Sequence, residues 1–404
     1  ATGVVWVDGG TYRLEARAQD AAGNVQTLLN ATTFQYDTQR PSSTVTFPSA
    51  GAAFRETFSA MNGGVQENPL ANSGLDQIRI GIQRSDGQWF TGLAWSGTRS
   101  DPTVTSFTPS TWTRSLPGGF FAVDPDTFTA YTWAQDRVDQ PDASYRNIES
   151  STVLKRTFFY ETQNPTSTIT NPTEGVYLPV LNTISGNAFD NLSGPQKVEA
   201  EIRDLTPPTS YWDQANGNWT ATPTWNPMTS AGPTPWSFAP ALLDTRFIGT
   251  GGGRQYRGRS RAYDNTRNAA GTITGNLEVP PDTLSDPGDL YANEQFFTYD
   301  KTPPTAVVSV PNNDPTYASP IATLTSMNGT FDDTFPGVES VVFVSIQRQD
   351  TLQYLQTLTT NAGWAPGEFP FPATTNIPGS PGTWTLNTSS VPWANNVNYW
   401  VFAK

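Results

Sequence analysis

The 404-residue sequence contains no histidine and no cysteine. Their absence removes disulfides, thiolate nucleophiles, structural zinc of the usual kind, haem and iron–sulfur ligation, and every Ser-His-Asp arrangement. Charge is sparse as well. Asp, Glu, Lys and Arg make up 15% of the chain, and lysine occurs only at Lys155, Lys197, Lys301 and Lys404, so a Lys–Asn crosslink in every repeat is not expected. The charge that remains leans acidic, with a formal net charge of −13. Such a chain lacks the clustered Lys and Arg needed to neutralise nucleic-acid phosphates. No apolar run approaches the ~20 residues of a membrane-spanning helix, and no signal peptide stands at the start. The chain opens on Ala1 and closes on Lys404 inside a strand-like run, which reads as a window cut from a longer or processed polypeptide.

What is present points to strands. Aromatics reach 12%, with 13 Trp, 14 Tyr and 22 Phe, alongside 33 Gly and 34 Pro. Long soluble helices want Ala, Leu, Glu and Lys, whereas turn residues mixed with Thr, Val and aromatics suit many short strands. An internal repeat then organises the chain. Thr33-Phe-Gln-Tyr-Asp-Thr-Gln-Arg-Pro41, Thr157-Phe-Phe-Tyr-Glu-Thr-Gln-Asn-Pro165 and Phe296-Phe-Thr-Tyr-Asp-Lys-Thr-Pro-Pro304 correspond, with their tyrosines at Tyr36, Tyr160 and Tyr299. Trp112, Trp236 and Trp384 follow these at nearly constant distance. A strand ending in Asp comes next, Phe128–Asp136 and Tyr256–Asp264, with earlier and later copies at Tyr12–Asp20 and Tyr399–Lys404. The period is about 129 residues, three times over.

Within each unit Asp76–Arg84, Lys197–Arg203 and Val341–Arg348 alternate apolar and polar residues, the period of a half-buried strand. Strands punctuated by Gly, Pro and Asn, with no helical period between them, predict antiparallel all-β units of about seven strands, with loop insertions at 205–235, 265–295 and 360–382. The set formed by Asp37-Thr-Gln-Arg-Pro41, Gln88-Trp-Phe-Thr-Gly-Leu-Ala-Trp95, Trp112-Thr and Tyr12–Asn24 resembles the bacterial immunoglobulin-like repeats of very large surface and secreted proteins. That resemblance implies tandem immunoglobulin-like β-sandwiches. Their expected bounds are 1–36 (the last strands of a preceding unit), 37–160, 161–299 (with long loop insertions) and 300–404 (lacking its last strands).

The site residues divide into aromatic and acidic groups. Trp112, Trp236 and Trp384 are expected in the repeat core, where one such ring buries ~150–250 Å2. Trp219 and Trp225 sit in a Pro-rich stretch and are candidate contact residues, for a sugar, a protein partner or the loop itself. Acidic loops hold Asp136, Asp139 and Asp142, and again Asp282, Asp286 and Asp289. Calcium, which takes six to eight oxygens, is the one cofactor they leave open. The preferred reading there is Asx-turn chemistry on a solvated surface, because neither loop has the spacing of an EF-hand or a glycine-rich nonapeptide.

Paired carboxylates, Asp124 with Asp126 or Asp332 with Asp333, are set aside as catalytic groups because other copies do not repeat them. Asp-x-x-Gly-Asn is intact only at Asp20–Asn24; later copies place a long insert between Asp136 and Asn147, or read Asp264-Asn-Thr-Arg-Asn268. The function expected is mechanical and non-enzymatic: an extracellular or cell-surface segment of a stiff fibre or filament. Its partners would be copies of itself or the continuing chain, with no nucleic acid and no membrane insertion. The alternative is an adhesin or accessory module whose Trp-rich loops bind surface glycans.

Overall fold

A computed structural model describes residues 3–67, 73–138, 147–229, 234–241, 243–247, 253–279, 291–312, 324–333, 341–359, 363–375 and 382–404. The fold is all-β, and no helix among the described residues is long and apolar enough to cross a membrane. Two compact units make up the chain: residues 1–166 with 188–198 and 261–279, and residues 167–187 with 199–260 and 280–404.

Alternation in the sequence becomes alternation in burial. Strand Leu75–Arg84 buries Ile78, Ile80 and Ile82, while Gln77, Arg79 and Gln83 face outward, as a period of two requires. It pairs antiparallel with the long strand Asp126–Asp136, which buries Phe128, Ala130 and Ala134. Their sheet runs in the order 53–54, 154–160, 126–136, 75–84, 89–90, 95–96, and a second sheet runs 42–43, 60–66, 111–115, 106–107. That strand order is the immunoglobulin-like sandwich, with a four-stranded sheet facing a sheet extended at one edge. Among the described residues the two sheets hold ten strands, beyond the seven expected from sequence, because the first strand divides between the sheets and the short hairpin 89–96 widens the six-stranded one.

The pattern recurs. Residues 166–299 form sheets 166–171, 184–189, 236–238 and 176–178, 294–299, 254–264, 195–204, 210–213, 218–220. Among the described residues of 205–235, expected as a loop insertion, lie three short strands, of which Asn226–Pro227 pairs with Pro195–Asp204. Residues 305–403 form sheets 305–310, 326–332, 382–387, 374–375 and 364–365, 354–355, 343–348, 371–372, with Tyr399–Ala403 also paired to Phe343–Arg348. Near the start, Thr11–Ala16 and Asn30–Gln35 form a two-stranded hairpin.

One packing device appears in all three sandwiches. Trp112, Trp236 and Trp384 are buried to within 1% exposure. Each stands directly across the sheet from a glycine: Gly63, Gly186 and Gly329. A Cβ there would lie 1.8 Å from Thr44 O, 1.7 Å from Thr168 O and 1.8 Å from Val307 O, so only glycine admits the neighbouring strand and the indole together. The indole nitrogens donate to Thr44 O, Asn187 O and Val307 O at 3.0, 3.1 and 3.2 Å, which satisfies their buried N–H.

In the second sandwich the sheet face opposite the apolar core is also covered. Glu201, Arg257, Arg259 and Glu294 are 0, 2, 8 and 3% exposed. Arg257 lies 3.3 Å from Glu201 and 3.2 Å from Glu294, and Arg259 lies 2.9 Å from Glu201. Burial pulls the Arg257 guanidinium below its ordinary range, with the Arg259 charge adding to the effect.

Two outcomes test this packing. Gly186→Ala should destabilise the second sandwich by about 1–3 kcal/mol through overpacking, read from its denaturant midpoint. Glu201→Gln should cost about 3–5 kcal/mol, because it leaves two buried guanidinium groups short of counter-charge; a loss below 1 kcal/mol would show that water reaches them.

Candidate functional site

Among the described residues carboxylates converge twice, each time where a linker enters the sandwich that follows it. In the first cluster Asp37 comes from the linker, Glu67 follows strand Ala60–Gln66, and Asp136 closes strand Asp126–Asp136. In the second Glu161 comes from the linker, Asp190 follows strand Ile184–Phe189, and Asp264 closes strand Arg254–Asp264. Both clusters lie inside the first compact unit. One oxygen from each residue of a cluster lies within 4.8 Å of the other two. Strand ends fix this geometry. The last residue of a long strand and the first residue after a strand of the facing sheet reach the same pole, and the linker acid meets them there.

An asparagine braces each cluster. Asn147 Nδ2 donates to Asp136 Oδ2 at 2.8 Å and to the Asp37 carbonyl at 3.3 Å. Asn276 Nδ2 does the same to Asp264 Oδ2 at 2.8 Å and to the Glu161 carbonyl at 3.2 Å. Asn24 donates to Asp20 Oδ2 at 2.9 Å. The Asp–Asn bond is therefore made in three copies, although the intervening loops differ in length. In the copy that reads Asp264-Asn-Thr-Arg-Asn268, the donor to Asp264 is Asn276. Asn268 instead turns its own loop, its Oδ1 accepting from Ala270 and Thr272.

The remaining hydrogen bonds leave particular oxygens open. Glu161 is fully buried; Oε2 accepts from Ser193 N at 3.0 Å, and Oε1 has no hydrogen-bond partner. Asp37 is 8% exposed, and its Oδ2 likewise has none, while Oδ1 accepts from Gln39 N at 3.1 Å. Asp190 Oδ2 accepts from Gly194 N at 2.7 Å and Ser193 Oγ at 3.1 Å. Burial pushes the Glu161 carboxyl up to about 7, opposed by the Ser193 hydrogen bond and aided by the charges of Asp190 and Asp264. Burial also raises Asp136 above the usual carboxylate range, against the bonds from Asn147 and Val138 and with the Asp37 charge adding to it.

Of the acidic residues expected to act together, Asp136 belongs to the first cluster, and its neighbours there are Asp37 and Glu67. Asp139, Asp142, Asp282, Asp286 and Asp289 lie outside the described residues. Sequence reasoning missed the linker acids Asp37 and Glu161, which it treated only as repeat markers, and the acids Glu67 and Asp190. A search for acids at equivalent repeat positions, rather than for acids crowded in one loop, would have found all six. Asp124 and Asp126 are held locally, accepting from Thr162 N at 2.9 Å and Ser85 Oγ at 2.5 Å.

The loop aromatics are half-buried. Trp219 donates to Arg246 O at 2.9 Å and meets Trp212 and Tyr256 with ring centroids 5.7 and 5.6 Å apart. Trp225 lies 5.5 Å from the Arg259 guanidinium.

No family model matches the chain, and no curated protein does. Among solved structures it is similar to the fibronectin(III)-like modules of Clostridium thermocellum CbhA, at 12% identity and a TM-score of 0.24 over 64% of this chain and 94% of that one. A marsupial T cell receptor aligns at 8% identity and a TM-score of 0.27, covering 90% and 99%. The I9–I11 tandem of titin aligns at 6% identity and a TM-score of 0.22, covering 90% and 95%. The fold assignment stands on the strand order, to which likenesses this remote add nothing.

At pH 8 and without added cation, Glu161→Gln should raise the melting temperature by several degrees, because burial disfavours the charge that the substitution removes. A fall on differential scanning calorimetry would show that protein groups alone stabilise the ionised carboxylate.

Proposed function

We propose that the chain is a structural segment of a long extracellular repeat protein, in which immunoglobulin-like sandwiches at 37–160, 161–299 and 300–404 act as stiff, non-catalytic spacers. Its partners in this reading are the continuing chain and other copies of itself. The observation that carries the proposal is a joint within the first compact unit. Edge strand Ala53–Phe54, itself parallel to Leu154–Tyr160, is extended by Arg267 from the loop of the next repeat. Arg55 N donates to Arg267 O at 2.9 Å, and Arg267 N donates to Ala53 O at 2.8 Å. Arg55 Nη1 reaches Gly275 O at 2.5 Å, and Ala269 N donates to Glu56 Oε2 at 3.1 Å.

A loop that adds itself to its neighbour's sheet restricts bending by the same main-chain bonding that builds sheets. Proline at Pro41, Pro165, Pro303 and Pro304 stiffens the linkers further by holding φ. Glycan binding through Trp219 and Trp225 is less well supported, because both side chains are already engaged with their own sandwich.

Pulling the chain by its ends in a force spectrometer should give a sawtooth, with a contour gain of about 400 Å for each unfolded sandwich at ~3.4 Å per residue. Smooth extension without peaks would remove the mechanical reading.

A further inference from the structure

Three features of the carboxylate clusters go beyond a crowded acidic surface. First, the open oxygens belong to buried groups. Glu161 Oε1 and Asp37 Oδ2 have no hydrogen-bond partner, on side chains 0 and 8% exposed. A carboxylate withdrawn from water with an oxygen left open is costly unless a ligand completes it. Second, the arrangement is built twice from different residues. The linker supplies Asp in one cluster and Glu in the other, and the residue after the shorter strand is Glu in one and Asp in the other. Side-chain length changes between the copies while three carboxylates, and the bracing asparagine, do not. Third, the dimensions suit one ion. The three oxygens fall within 4.8 Å of one another, and an ion bound at about 2.4 Å touches ligands up to twice that distance apart.

We propose that these clusters are two divalent-cation sites, Asp37–Glu67–Asp136 and Glu161–Asp190–Asp264, suited to Ca2+, each tying a linker to the pole of the sandwich that follows. All-oxygen, carboxylate-rich ligation selects hard cations. Ca2+ tolerates the irregular geometry of loop and strand-end donors better than Mg2+, and takes its remaining ligands from water. Asn147 and Asn276 are positioning residues: each holds the strand-end Asp against the linker carbonyl. Loss of the ion leaves three carboxyl groups facing one another with no cation between them, so the linker is held less firmly to the pole. The mechanical consequence, a spacer that is stiff only with the cation bound, rests on the spacer reading above; the sites themselves do not.

The test is calorimetric titration of Ca2+ into the full chain after removal of metal with a chelator. The expected result is two equivalents bound, with a rise in melting temperature that EDTA reverses. Asp37→Asn and Glu161→Gln should each reduce the stoichiometry to one. Asp190→Asn, at a half-buried position, should lose the same equivalent as Glu161→Gln, which guards against a folding artefact. Asn276→Ala should keep both equivalents but weaken one about 10- to 100-fold. Absence of binding to the wild-type chain, or an unchanged stoichiometry in the carboxylate variants, overturns the inference. Repeating the pulling experiment with and without Ca2+ separates the two readings: binding without any sawtooth retains the sites and rejects the spacer.

Discussion

An indole pressed against a residue with no side chain is the contact on which each sandwich depends. Trp112, Trp236 and Trp384 would fit no ordinary cross-strand position, since the adjoining strand carbonyl passes within 2 Å of where a Cβ would stand. Glycine at 63, 186 and 329 resolves the clash and lets a large apolar surface close over the sheet. Each indole N–H finds a main-chain carbonyl, so the ring is buried with its polar atom satisfied. With that wedge in place, the aliphatic alternation of 75–84 and its counterparts has a surface to pack upon.

Sparse charge makes its placement informative. On the sheet face of the second sandwich that lies opposite its apolar core, Glu201 and Glu294 face Arg257 and Arg259, and both signs are present. The sandwich poles are different. There three carboxylates meet, and the asparagine that ties the strand-end Asp to the linker carbonyl donates without adding positive charge. One assembly is balanced by its own residues and the other is not, which is why the second directs attention to a ligand while the first reads as packing.

Junction and pole are mechanically related. The same linker that carries Glu161 follows a strand whose parallel partner, Ala53–Phe54, is bridged on its other side by Arg267, while Asn276, nine residues beyond Arg267, reaches back to the Glu161 carbonyl. Sheet extension and carboxylate clustering therefore act on one short stretch of chain. A repeat with almost no catalytic vocabulary has placed its unusual chemistry where two copies meet.

All-β architecture, the repeat and the aromatic landmarks were legible from one dimension, because alternation, turn residues and recurring Tyr and Trp are local or periodic signals. Asp136 was legible as a candidate too, but for its crowding with Asp139 and Asp142. Tertiary structure decided its actual company, since Asp37 lies 99 residues before it and Glu67 after a different strand. The glycines opposite the tryptophans were written in the chain as Met61-Asn-Gly63, Ile184-Ser-Gly186 and Met327-Asn-Gly329, yet nothing local says which strand a glycine will face. Likewise Asp264 had Asn268 close at hand and took Asn276 instead. Sequence determines which faces of a strand are apolar; only the closed sandwich brings strand ends and linkers to a common pole, because that meeting depends on register and crossover between distant segments.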